Sequence, residues 1–147
     1  MEKRYSRVIA FKAKHVNAMS VNAHLNGTWM EGYLSSEDYI YSPELEGEFL
    51  IDKSTICQYT GLEACWIAFE NEPQECDVWE HDLLEVEYEG KRVVAEVMYA
   101  SGMFILASEE FEDSYIPLFE VVQMNGDCAY IDAEHKGNIF DNPELIE

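Results

Sequence analysis

The sequence predicts a mainly β fold of antiparallel strands with little helix, and three observations carry that expectation. Glycine-containing pairs suited to tight hairpins recur at Asn26-Gly27, Glu89-Gly90, Ser101-Gly102 and Asn125-Gly126, each between runs rich in Val, Ile, Tyr, Phe or Trp. Apolar and polar residues alternate with the two-residue period of a half-buried strand, most cleanly where Leu84, Val86 and Tyr88 share one face and Glu85, Glu87 and Glu89 the other. No helix-period pattern is long enough to build a bundle.

Taken in order, Arg7 to Ala13 reads as a strand, with Trp29 to Leu34 as its partner across the Asn26-Gly27 region. Phe49 to Ile51 and Thr55 to Tyr59 are further short strands. The run from Leu84 continues through Arg92 to Tyr99, where Val93, Ala95, Val97 and Tyr99 alternate, and through Met103 to Ala107, which together form a meander. Phe119 to Met124 and Cys128 to Ile131 bracket Asn125-Gly126, and His135 to Phe140 forms a last strand. Asn142-Pro143-Glu144 then fits the start of a one-turn helix, with Asn142 as N-cap and Pro143 at the first helical position. Ser35 to Glu48 and Glu63 to Glu80 read as two long irregular stretches. Short strands at this density point to a small barrel or sandwich.

With 147 residues, 48% hydrophobic and 13% aromatic, the chain is sized for a single domain that buries its own core. No stretch approaches the roughly 18 consecutive apolar residues of a membrane helix, and Met1-Glu2-Lys3-Arg4-Tyr5 does not open a signal peptide, so the expected location is cytoplasmic, away from membranes. Cys57, Cys65, Cys76 and Cys128 are too widely spaced for a C-x-x-C pair and are expected to stay reduced. His15, His24, His81 and His135 do not supply the close ligand pairs of a structural zinc, so no metal or cofactor is expected.

Charge is the unusual feature: 9 Lys and Arg against 30 Asp and Glu give a formal −21. Residues 1–14 hold five of the nine basic residues, whereas residues 31–90 hold seventeen acids against Lys53 alone, a net of −16. Such a body repels nucleic-acid phosphates and anionic membranes, so direct DNA binding is not expected. It attracts a basic protein partner instead.

Four blocks carry a family resemblance. They are Phe11-Lys12-Ala13-Lys14 with Gly27-Thr28-Trp29-Met30-Glu31-Gly32-Tyr33-Leu34; Ile56-Cys57-Gln58-Tyr59-Thr60-Gly61-Leu62; Trp79-Glu80-His81-Asp82-Leu83-Leu84; and Gly137-Asn138-Ile139-Phe140-Asp141-Asn142-Pro143-Glu144-Leu145. In order and spacing these resemble the YopX-like family of bacteriophage and prophage proteins. The resemblance implies one YopX-like domain over residues 1–147: an N-terminal β segment (1–62), a lengthened loop (63–80) and a small SH3-like barrel in the C-terminal half (81–147). It implies a phage or prophage origin, hence the bacterial host cytoplasm, and no settled activity. Two departures stand out. His81 occupies a place usually held by glycine, which puts the turn geometry there in question, and the connection Glu63 to Val78 is longer than the family's.

For catalysis the chain offers no G-x-S-x-G, H-E-x-x-H or P-loop, and it is not expected to be an enzyme. His81-Asp82 and His135 are the one pairing with acid–base potential, against a reading in which Asp82 caps a turn and the histidines are structural. Glu109-Glu110-Phe111-Glu112-Asp113 lacks the spaced ligands of a calcium loop and reads as a solvated charge run. Trp29 and Trp79 are expected in or near the core. The lengthened loop supplies the expected partner-binding residues, Trp66 and Phe69 as anchors ringed by Glu70, Glu72, Glu75, Asp77 and Glu80. The leading expectation is an accessory protein that binds a basic host or phage protein, such as a nuclease or nucleic-acid-handling factor, through its acidic surface. The alternative is a self-assembling structural homo-oligomer whose acidity serves solubility.

Overall fold

A computed structural model describes residues 10–16, 24–64, 76–125 and 128–146, which fall into two compact units, one ending at Tyr59 and one beginning at Thr60. The chain is mainly β with antiparallel sheets, and its helical turns among the described residues are short 3-10 segments. Among the described residues no helix is long and apolar enough to cross a membrane.

In the first unit, β1 (Phe11–Lys14) lies between β2 (Trp29–Leu34) and the start of β5 (Cys57–Ala64), antiparallel to both. From β2 the sheet continues to β3 (Tyr39–Ser42) and β4 (Gly47–Leu50). Ala13, Met30, Ile40 and Ile51 form its buried core, with Phe11, Leu25, Leu34, Phe49 and Ile56 against them. His15 closes one end, its Nδ1 donating to the Leu50 carbonyl at 2.6 Å while its ring meets Phe49 edge-on at 5.3 Å. Trp29 is half-buried, with the ammonium groups of Lys12 and Lys14 4.6 and 5.3 Å from its ring centre. Asp52 caps the 3-10 turn Lys53–Thr55 by accepting from the Ser54 amide, and these Ser54 hydrogen bonds hold its carboxyl below the ordinary range.

Residues 35–48, expected to be irregular, contain β3 and the start of β4. The strand signal there is only Tyr39-Ile40-Tyr41, too short to stand out among acids, yet it suffices because Ile40 is fully buried and Tyr41 stacks on Tyr33 at 5.1 Å. The β2–β3 approach is close. A Cβ at Gly32 would run into the Tyr41 carbonyl, so this glycine is required for space.

The second unit holds the rest of β5 followed by β6 (Cys76–Trp79), β7 (Asp82–Tyr88), β8 (Lys91–Ala100), β9 (Met103–Ala107), β10 (Tyr115–Pro117), β11 (Val122–Asn125), β12 (Cys128–Ile131) and β13 (Glu134–Asn138). The meander forms a five-stranded sheet in the order β10-β9-β8-β7-β13. β11 and β12 make a hairpin whose second strand runs parallel to the end of β5 at Tyr130↔Glu63 and Ile131↔Ala64, and β6 also pairs with β5.

Glu89-Gly90 and Ser101-Gly102 form two-residue connections with φ of 51° and 81°, and of 54° and 80°, so both central positions are left-handed as a type I′ turn requires. Leu84, Val86, Val93, Ala95 and Val97 are buried as the alternation predicts, and Leu106, Ile116, Leu118, Val121 and Ile131 complete the core around them. Tyr99 departs from the pattern. Being next to the Ser101-Gly102 turn, where the sheet runs out of cover, it is 52% exposed and meets Phe104 edge-on.

The closed SH3-like barrel implied by the resemblance is not shown, since the meander sheet is open among the described residues. Its edge strands explain why. β10 is three residues long and ends in Pro117, which has no N–H to donate, and β13 carries a register shift between His135 and Gly137. Other boundaries also move. Phe119 belongs to a 3-10 turn, Leu118–Val121, ahead of β11, and the last strand ends at Asn138, not Phe140. The final turn, Pro143–Ile146, is 3-10, and the Asn142 side chain reaches backward to accept from the Asn138 amide at 3.2 Å.

Two substitutions test this packing. Leu106→Ala, at a fully buried position, is expected to lower unfolding stability in urea by about 2–5 kcal/mol. Gly32→Ala is expected to cost about 2–3 kcal/mol through the clash with Tyr41, despite adding only a methyl group.

Candidate functional site

Two arrangements in the second unit bring chemistry-bearing side chains together. The first surrounds Asp82, whose side chain is 1% exposed at the start of β7. Its Oδ2 accepts from the Trp79 amide at 2.8 Å and from His135 Nε2 on β13 at 2.9 Å, while Oδ1 is buried without a partner among the described residues. This carboxylate caps the turn between β6 and β7, as the sequence reading expects. His81 takes φ 73° in that turn, a left-handed conformation that glycine adopts most readily. Neighbours offset the strain. The His81 amide donates to the Val97 carbonyl, its carbonyl accepts from the Ile139 amide, its Nδ1 lies 2.7 Å from Glu96 Oε2, and Phe140 meets its ring edge-on at 5.6 Å.

Proton chemistry decides what this cluster does. The hydrogen bond to Asp82, followed by that to Cys76, outweighs burial and raises His135 to about 9. His81 is also raised, first by its hydrogen bond to Glu96. A value near 9 favours the protonated form of His135 at neutral pH, with Nε2 2.9 Å from the buried Asp82 Oδ2. The Asp82–His135 pair links β13 to the β6–β7 turn.

The second arrangement is an open pocket of about 150 Å³ lined by Tyr88, Glu89, Lys91, Glu110, Phe111, Glu112, Asp113, Tyr115 and Ile116. Its shape follows from one residue. Phe111, 4% exposed, is drawn into the core in the middle of an acidic run and meets Tyr88 edge-on at 5.4 Å. The loop closes tightly around it: Phe111 N donates to Ser108 O, Ser114 N to Phe111 O and Ser108 N to Ser114 O. With Phe111 facing inward, Glu110, Glu112 and Asp113 are left exposed beside it. Tyr88 and Glu89, at the end of β7, and Tyr115, at the start of β10, supply the remaining walls.

Lys91, paired in register with Tyr88, is the one cation among the described residues that line this pocket with the four carboxylates. The local field registers on Tyr88. Its hydroxyl donates to Glu120 Oε2 at 3.2 Å, and that bond, with the charges of Glu120, Glu89 and Glu112, raises the phenol above its ordinary value.

Of the expected partner-binding residues, Trp66, Phe69, Glu70, Glu72 and Glu75 lie outside the described residues. Asp77 is exposed on β6, and Glu80 is half-buried in the following turn with Oε2 3.6 Å from His81 Nε2. Neither lines the pocket. Trp79 is buried. The sequence reading took Glu109 to Asp113 as plain solvated charge and so missed the pocket. The signal it held was an aromatic in the centre of that run, which solvation alone does not explain.

The histidine pin makes stability depend on pH with a definite sign. Because His135 is raised above its unfolded value near 6.5, its contribution is fully present below pH 6.5 and is lost as pH rises through about 9. Urea unfolding from pH 6 to 10 should show this loss, on the order of 3 kcal/mol at most, and His135→Gln should remove that part of the slope.

No family model, curated protein or solved structure matches this chain.

Proposed function

We propose that the protein binds a basic protein partner through its acidic surface, with the pocket of Tyr88, Phe111 and Tyr115 as a contact point. The observation that carries this reading is the placing of four carboxylates and three aromatic residues around one opening in a chain of net charge −21. Opposite charge speeds encounter, and an aromatic floor gives a cationic side chain something to dock on once it arrives. The four sequence blocks support a YopX-like phage or prophage accessory protein as its type. In that reading the C-terminal half is a relative of the SH3-like barrels, and the meander followed by a 3-10 turn supports it. The segment containing Trp66, Phe69, Glu70, Glu72 and Glu75, with Asp77 and Glu80, belongs to the proposed surface by composition. The protein is proposed to act without enzymatic chemistry, in a bacterial host cytoplasm.

Self-assembly through sheet edges draws less support. Pro117 interrupts the donors of edge strand β10, and edge strand β13 presents a bulge with Glu134 and Lys136, both of which discourage edge-to-edge pairing.

A fluorescent Lys- and Arg-rich 15-residue peptide tests the proposal by anisotropy. Affinity should fall at least about tenfold from 50 to 500 mM salt as the Debye length shortens, and a labelled DNA duplex should not bind at physiological salt. Reversing Glu110, Glu112 and Asp113 to Lys should weaken the peptide more than reversing Glu44, Glu46 and Glu48, which are equally exposed but lie beside no such pocket. Salt-independent binding, or equal effects of the two triple reversals, counts against the reading.

A further inference from the structure

We infer that the pocket selects an arginine side chain of the partner over a lysine, an inference that rests on the basic-partner reading and deepens it. The argument begins with size. About 150 Å³ corresponds to roughly five waters, enough for the end of one side chain and too little for a folded element. It continues with the walls. Tyr115 is exposed and Tyr88 half-buried in the lining, with Phe111 buried behind them, so the two tyrosine rings are the π surface on which a flat, weakly hydrated guanidinium stacks while keeping its edges free to donate.

The acceptors are distributed to match. Glu89 comes from the β7–β8 turn, whereas Glu110, Glu112 and Asp113 come from the loop between β9 and β10, so carboxylates border the opening from two separate segments. A guanidinium carries five N–H donors in a planar fork and can reach acceptors on two sides at once. An ammonium is a compact point charge that keeps its hydration, and it gains less from an aromatic wall. Rigidity adds to the preference. Phe111 is anchored in the core and the loop is closed by backbone hydrogen bonds at both ends, so this wall is formed before a ligand arrives.

The field sharpens the choice of cation over neutral group. Four carboxylates against Lys91 leave the lining at −3, and Glu120 adds to it through Tyr88. A cation entering the pocket relieves repulsion among these groups, whereas a neutral isostere of the same shape does not.

The experiment uses the full chain, labelled with ¹⁵N and with ¹³C in its aromatic rings, and three blocked tripeptides: acetyl-Gly-Arg-Gly-amide, its Lys counterpart and its citrulline counterpart. The Arg peptide should shift the resonances of Tyr88, Phe111 and Tyr115 and bind about three- to fivefold more tightly than the Lys peptide. Citrulline, isosteric but uncharged, should produce no saturable shift. Tyr115→Ala removes an exposed wall residue outside the core, so it should leave the melting temperature unchanged and bring the Arg-to-Lys ratio close to one. Equal affinity for Arg and Lys, or saturable shifts that map away from the pocket, overturns the inference. If the long basic peptide still binds in a salt-dependent way, the basic-partner reading survives that result. If it does not, both fall together.

Discussion

The second unit depends on a single buried carboxylate. Asp82 is fully enclosed, and its Oδ2 serves at once as acceptor for the Trp79 backbone and as counter-ion for His135. The first contact sets how β6 enters β7, and the second holds β13, the edge strand that covers the far side of β7. Burying a charge is costly unless it is paired, and removing one partner of such a pair typically costs about 3–5 kcal/mol because the other is stranded. The dependence extends outward. Once the turn is fixed, His81 is held left-handed, its carbonyl receives Ile139, and its ring offers Phe140 a face to pack on. The C-terminal residues are thus ordered by a chain of contacts that starts at one side chain.

Much of the strand framework was legible because its signals are local. The Glu89-Gly90 and Ser101-Gly102 turns and the alternation of Leu84, Val86, Val93, Ala95 and Val97 are statements about neighbours in sequence, and the meander follows them. β3 was hidden because its four residues are too few to establish a period among acids. Whether a sheet closes was not legible either, since it depends on what the edge residues of β10 and β13 can pair with. The site was the least legible part. Tyr88, Phe111 and Tyr115 are 23 and 4 residues apart along the chain, and only the register of β7 through β10 brings them together. The Asp82–His135 pair spans 53 residues and was visible only as an unspecified pairing of an acid with a histidine.

Charge in this molecule is unevenly neutralised. Where Glu85 is half-buried it is approached by both Arg92 and Lys136, at 3.4 and 3.6 Å, so a scarce cation is spent where desolvation would otherwise be costly. Around the pocket the ratio is inverted, with several carboxylates to one lysine. Like charges held together by the fold oppose it slightly, and an arrangement that persists against that repulsion places its negative potential where an approaching molecule meets it first.

The inward Phe111 has a consequence for how such a loop can change over generations. Anchor and rim share one short segment but face opposite ways: the aromatic is fixed by the core, and Glu110, Glu112 and Asp113 touch mostly water. Mutations at the three acids therefore escape the packing constraints that govern Phe111. A lineage can exchange, shift or invert the rim charges while the loop keeps its path, and so acquire a different counterpart without first passing through an unfolded ancestor.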